Sequence, residues 1–374
     1  MTRWSGLTWD HPRGVDALVA ATTQADAPCP IDWDTQPLEG FESASIAENA
    51  QAYDLLVIDH PHVGEAVEEG VLRPLGEVFT AEELEIWRAD SVGPSFASYD
   101  FAGEQWALPL DVATQVGVVA DPTLPTPSTW DEAVQLAAQV PSTMPTSGPH
   151  LFLTLCAIAV SHGHRPGEDG RFLPADVVDE AVRLLTLLTG AGPFPDRHNP
   201  IDVLEAMSRD DGPMYCAHTF GYVNYTRTDR ERPLRFVDAP IGRSGRRGSV
   251  LGGTGIALSR RCVVDDTLLN HLRWLMSERA QTGFVPRYAG QPSAIAAWES
   301  AAVNVGTGDF YRGTRRSVEQ SWVRPRVDAA VEFQTLAARA VRTAVLGQTD
   351  AARLAPTLDE LYGRIPATEC EVVA

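Results

Sequence analysis

The sequence contains no lysine. All 30 basic residues of its 374 are arginine, against 50 Asp and Glu, for a formal net charge of −20. The absence excludes a Schiff-base lysine, a P-loop lysine and a Ser-Lys dyad. The charge balance argues against nucleic acid, because a phosphate-binding surface needs clustered cations. The only dense run is Arg243 to Arg247, in a Gly/Ser loop. A membrane helix needs roughly 20 apolar residues; the best run here, Leu151 to Val160, is far too short and reads as a buried helix, so no membrane insertion is expected. The five cysteines (Cys29, Cys156, Cys216, Cys262, Cys370) are odd in number and never form a C-x-x-C pair. Reduced thiols are therefore expected, not a zinc or disulfide framework. G-x-S-x-G, H-E-x-x-H and P-loop strings are missing too, which removes several common enzyme classes. No charged, apolar, small-residue leader precedes the first element, so the expectation is a cytoplasmic chain, or an extracellular or periplasmic one if a leader has been removed.

The length suits two domains of ordinary size, and 44% hydrophobic with 21% charged residues suits a soluble globular protein. The first third alternates strands (Leu7 to Trp9, Ile31 to Asp34, Tyr53 to Asp59) with helices (Val15 to Gln24, Ile46 to Gln51). That order predicts a parallel, doubly wound sheet. Ligands bind such sheets beyond the carboxyl ends of the strands. Here those ends carry Asp10-His11-Pro12-Arg13, Thr35-Gln36-Pro37 and Asp59-His60-Pro61-His62. After a helix near Ala81 to Arg88, Gln105 to Asp111 runs into Thr114 to Ala120 as one long extended crossing. A helix-rich stretch follows, with Trp130 to Val140, Leu151 to Ser161 and Val177 to Leu188. Strands at Leu234 to Val237 and Gly248 to Leu258 come next, then helices at Asp265 to Ser277 and Val327 to Val345.

Several constellations carry chemistry. Trp9 offers a stacking face, and Asp10 or Arg13 can hold hydroxyls or a carboxylate, unless Asp10 simply caps the next helix. His11, His60 and His62, near adjacent strand ends, can bind a ligand, supply acid–base groups or hold a metal, although no fourth ligand is evident and no metal is assigned. Tyr215 to Tyr225 is the densest aromatic-polar cluster, where Tyr222 and Asn224 combine stacking with hydrogen bonds. Cys216 beside His218 admits a thiolate reading, and equally a plain strand. Gly252-Gly253-Thr254-Gly255 is no dinucleotide fingerprint, since no strand–turn–helix with an acidic partner follows. No cofactor is expected. Arg324-Pro325-Arg326 can clamp an anionic group or form salt bridges between elements.

Tyr53 to Gly64 followed by Gly70-Val71-Leu72-Arg73-Pro74-Leu75, Trp106-Ala107-Leu108-Pro109-Leu110 with Gln115, Pro127-Ser128-Thr129-Trp130-Asp131-Glu132, and Gly252 to Ala257 occur in an order that resembles the family 1 extracellular solute-binding proteins. These are the carbohydrate-type receptors of ABC importers, and the resemblance covers nearly the whole chain. It implies a periplasmic-binding-protein-like (type II) α/β fold, with two lobes joined by hinge strands and a ligand cleft between them. The implied first lobe is 1–112 with about 252–312, and the second is 113–251 with about 313–374. It implies a monomer that binds a sugar, polyol or sugar acid, as the receptor of an ABC permease or as a cytoplasmic relative. The expected contacts are Trp9, Asp10, His11, Arg13, His60 and His62, with Asp111, Gln115, Tyr222, Asn224, Gly253, Thr254 and Gln291 opposite or beside them. Closure is expected about Asp111 to Thr114 and the return strand Leu251 to Leu258. The competing class is a cytoplasmic enzyme on the same scaffold, with His11, His60 and Asp10 as acid–base groups.

Overall fold

One strand belongs to both halves of the molecule. The structure, a computed structural model, describes residues 3–190 and 198–365. Its main strands are β1 (Trp4–Trp9), β2 (Ile31–Gln36), β3 (Leu55–Ile58), β4 (Ala107–Val119), β5 (Ser142–Thr143), β6 (Tyr215–Phe220), β7 (Arg235–Val237) and β8 (Leu251–Leu258). They run in the order β2-β1-β3-β8-β4-β6-β5, with β7 attached to β4. Strands β1, β2 and β3 are parallel, as the alternating pattern predicts. All four residues of β3 are buried, which accounts for a run apolar on both faces. Strand β8 returns antiparallel between β3 and β4.

Strand β4 is the long crossing read from the sequence, and all 13 of its residues are buried. At ~3.3 Å per residue it spans roughly 40 Å. Its first part pairs with β8, up to Thr114 opposite Leu251. From Gln115 it pairs instead with β6, and from Gly117 with β7. The two α/β lobes therefore share a continuous backbone ladder where they meet.

Helix α1 (Pro12–Gln24) begins three residues before the sequence-based Val15. His11 is its N-cap, not Asp10: His11 Nδ1 accepts from the Arg13 amide at 3.2 Å, and Pro12 fills the first turn. Helix α2 (Trp130–Ala137) opens on the Thr129/Glu132 capping box. All twelve residues of α3 (His150–Ser161) are buried. It packs against α4 (Ala175–Gly190) and α5 (Ala330–Val345), and α6 (Leu354–Tyr362) closes the group. Phe152, Phe172, Phe333 and Tyr362 interlock at their contact. Between 280 and 319 the chain forms short helical pieces that the sequence reading did not anticipate, because most are too brief to show a helical period. Cys29, Cys156, Cys216 and Cys262 are free and buried, and Cys370 lies outside the described residues.

The β8–β4 register slips between Thr254 and Gly255. Beside the slip Gly253 has φ +103°, and a Cβ there would meet the Asp111 carbonyl oxygen at 2.2 Å. Both the dihedral and the clash require glycine. Gly253→Ala is expected to cost about 2 kcal/mol or more. Urea unfolding should show this as a lower midpoint with unchanged slope.

Candidate functional site

The carboxyl ends of the parallel strands open onto a cleft that both lobes line. Trp9 comes from the end of β1, Leu38 and Phe41 from the helix Leu38–Ser43 after β2, and Asp59, Pro61 and His62 from the turn after β3. Across from them stand Pro149 and Leu153 at the start of α3, and Phe220 and Tyr222 at the end of β6. Ala113 and Gly252 to Thr254, on the two crossing strands, join the lobes along one side. Arg324, Val331 and Gln334 come from the segment entering α5. The cleft encloses about 640 Å³ of space continuous with solvent.

Arg13 is buried at the cleft wall and is already fully engaged. Its Nε donates to Asp111 Oδ1 at 2.9 Å and Oδ2 at 3.2 Å, its Nη2 to Oδ2, and its Nη1 to the Gly221 carbonyl at 3.2 Å. Its guanidinium carbon stands 4.4 Å from the Tyr222 ring centroid. Burial would lower its pKa; the Asp111 carboxylate outweighs that and raises it. Arg13 thus braces the crossing strand and reaches the opposite wall at Gly221 and Tyr222, whereas its place at a strand end suggests a free hand for hydroxyls or a carboxylate. Asp111 also accepts from the Gln291 amide at 3.2 Å, while the Gln291 side chain bridges the Val112 carbonyl and the Val223 amide.

A second buried ion pair lines the cleft. Arg324 Nη2 reaches Asp59 Oδ1 at 2.8 Å and Oδ2 at 2.6 Å, and its Nη1 donates to Gln334 Oε1 at 3.2 Å. Burial alone would raise the Asp59 carboxyl, but Arg324 and the hydrogen bond from His60 hold it well below the usual carboxylate range. Arg326 is spent on the carbonyls of Ala97 at 2.9 Å and Ser98 at 3.4 Å. The arginine pair is therefore no anion clamp, because each member has its own partner.

The histidines divide. His62 lines the cleft, 3.8 Å from Glu65. His11 stacks on Trp9 at 5.0 Å with the rings nearly parallel, and Tyr222 meets both rings edge-on. Trp9 is only 2% exposed, so it contributes wall, with no open stacking face. Gly14 makes this possible, since a Cβ there would strike the indole Nε1 at 2.2 Å. His60 is buried beneath the cleft, its Nδ1 3.2 Å from Asp59 and its ring edge-on to Tyr99. Among the described residues no group of three or more His, Cys, Asp or Glu could hold a metal.

Of the sequence-derived residues, Trp9, Arg13, His62, Tyr222, Gly253 and Thr254 line the cleft. Asp10, His11, His60, Asp111, Gln115, Asn224 and Gln291 lie outside its lining. Asp10 is exposed, and Asp111 and Gln291 brace the crossing. Gln115 is buried with its Nε2 on Thr154 Oγ1 at 3.3 Å, and Asn224 is buried in the turn after Tyr222. The thiolate reading of Cys216 does not hold: burial pushes its thiol up to about 12, and His218 is turned to the Gly248 carbonyl and Thr154. Sequence reasoning missed Phe41, Pro149, Leu153, Phe220 and Gln334 as wall residues. Nothing but the strand ends pointed toward them.

Two measurements test these assignments. Arg13→Met leaves Asp111 buried and unpaired, so it should cost about 3–5 kcal/mol, and Arg13→Met/Asp111→Leu should recover most of that in chemical denaturation. Among the described residues six imidazoles are pushed down, chiefly by burial: His11, His60 and His218 to about 4, His150 to about 3, and His162 and His271 in the same direction. An unfolded imidazole titrates near ~6.5, so below that pH unfolding takes up protons. The stability these groups contribute is complete above ~6.5 and is lost as pH falls toward 4. Thermal melts at pH 7.5, 6 and 5 should show a falling midpoint, and calorimetry in buffers of different ionisation enthalpy should show net proton uptake at pH 5. A flat profile would contradict the buried neutral state.

No family model matches the chain, and no curated protein sequence matches it. Many solved structures do. A maltose-bound MalE3 of T. maritima superimposes with a TM-score of 0.78 at 14% identity, over 96% of this chain and 98% of that one. An ABC-transporter solute-binding protein of Agrobacterium radiobacter K84 in complex with ribitol gives 0.78 at 16%, over 96% and 97%. One of Agrobacterium vitis S4 with bound D-mannitol gives 0.73 at 15%, over 97% of each. At such identities the likeness is one of fold, and it spans both lobes: the chain has the two-lobed periplasmic-binding fold of ABC-transporter solute-binding proteins.

Proposed function

We propose that the protein binds a small polyhydroxylated solute between its lobes and closes over it, as the receptor of an ABC permease or a cytoplasmic relative of one. The observation that carries this reading is the cleft itself. Wall residues from both lobes face one another across the ends of the crossing strands, and a solute touching both walls favours the closed arrangement. Solute-binding proteins of the same fold hold maltose, ribitol and D-mannitol. The lobes proposed to move are 1–112 with about 252–312, and 113–251 with about 313–374. The proposed contacts are Trp9, His62, Tyr222, Gly253 and Thr254. Because both lobes line the cleft, entry is proposed to accompany their parting. An acid–base enzyme built on Asp10, His11 and His60 has less support, because none of the three lines the cleft.

The test is a thermal-shift screen of maltose, ribitol, D-mannitol, sorbitol and related sugars, with native mass spectrometry of fresh protein. At least one compound should raise the melting temperature progressively with concentration, as a ligand selective for the folded state does. Tyr222→Ala should weaken that compound about tenfold or more while the protein stays folded. If no compound in the screen binds, the reading fails.

A further inference from the structure

Resting on that reading of the cleft, we propose that the Asp59–Arg324 pair makes the site selective for an uncharged polyhydroxylated solute, and against its acid and amine analogues. The argument is one of charge and of hydrogen bonds left over. The fully charged side chains lining the cleft are Arg13, Asp59 and Arg324. Arg13 is neutralised by Asp111, and Arg324 by Asp59. His62 Nδ1 stands 3.8 Å from the Glu65 carboxylate. The imidazoles behind the wall add no cation, since burial and then Arg324 push His60 down to about 4 and His150 to about 3. The site carries no surplus of either sign.

A ligand carboxylate entering here gives up its water and finds no unpaired cation. Approaching Arg324, it also meets Asp59, a like charge at the same guanidinium. An ammonium group fares no better, because the Asp59 charge is already neutralised by Arg324. Desolvating either ion costs several kcal/mol with no compensating partner. A hydroxyl has a different balance. Arg324 is 7% exposed at its side chain, and its Nε–H has no partner among the described residues. A hydroxyl can give its hydrogen to the lone pair that Asp59 Oδ2 keeps, since Oδ1 already accepts from Arg324 and the His60 amide while Oδ2 accepts from Arg324 alone. A polar group buried without a partner is costly, so a hydroxyl that pairs with Asp59 is favoured over an ion that gives up its water for no counter-charge.

The experiment is isothermal titration of a charge series with one carbon skeleton: sorbitol, gluconate and glucamine, or maltose, maltobionate and its amine if the disaccharide binds tighter in the screen. Wild type should bind the neutral member at least tenfold more tightly than either charged one. Asp59→Asn, checked for folding by circular dichroism, leaves the Arg324 charge unmatched. The neutral-to-acid affinity ratio should then fall at least tenfold. A charged member that binds wild type as tightly as the neutral one overturns the proposal, as does a ratio unmoved by Asp59→Asn. If that variant does not fold, the wild-type series decides alone. When no neutral compound binds, the binding reading itself has failed; when a neutral compound binds without preference, only the charge argument has.

Discussion

Asp111 is the fixed point about which the two lobes are arranged. Its carboxylate meets Arg13 from the start of α1 and the amide of Gln291, while its own backbone belongs to the strand running through both lobes. A buried carboxylate is tolerated only while its partners stay in place, because an unpaired charge in that setting costs several kcal/mol. The requirement spreads outward. Arg13 must stay where its Nη1 reaches Gly221, Gln291 must stay where it spans Val112 and Val223, and Gly253 must leave the Asp111 carbonyl its space. Any parting of the lobes of the proposed kind has to leave this brace intact.

The same economy explains the aromatic residues. A tryptophan at a strand end suggests a platform for a sugar face, yet Trp9 is closed in by His11, Tyr222 and Phe41. That packing ties the first-lobe loop to the second-lobe loop through ring contacts, worth about 0.5–1.5 kcal/mol each beyond area. Aromatic surface here sets how the lobes fit. Polar recognition is proposed to fall to the Asp59–Arg324 pair at the cleft wall.

Much of the fold was legible because its signals are local. The apolar run at β3, the alternation before it, the long crossing at β4 and the Thr129/Glu132 capping box depend on neighbours within a few residues. The strand ends were legible for the same reason, and two residues read from them, Trp9 and His62, line the cleft. The polar assignments were less legible because a charged residue's role depends on distant partners. Arg13 reads as a ligand hand until Asp111, 98 residues away, is seen to occupy it. Arg324 and Asp59 are 265 residues apart, and no spacing rule joins them. His60 and His62 differ by two positions, but one faces the core and the other the cleft, a choice made by the 3-10 turn His60–His62.

Charge inside the cleft and charge over the whole chain act in sequence on an arriving solute. The chain's net charge of −20 sets up a field that repels anions at long range and is screened within about 8 Å in physiological salt. An anion that passes it reaches a site where each cation already has a carboxylate. A cation is drawn in by the same field, then stripped of water with nothing to receive it. A neutral polyhydroxylated molecule feels little of the field and exchanges water hydrogen bonds for those of Arg324 and Asp59. Selection by cancellation in this way also leaves binding of the neutral solute nearly independent of ionic strength. A site built on one bare arginine would not share that property, because its attraction for an anion would weaken as salt rises.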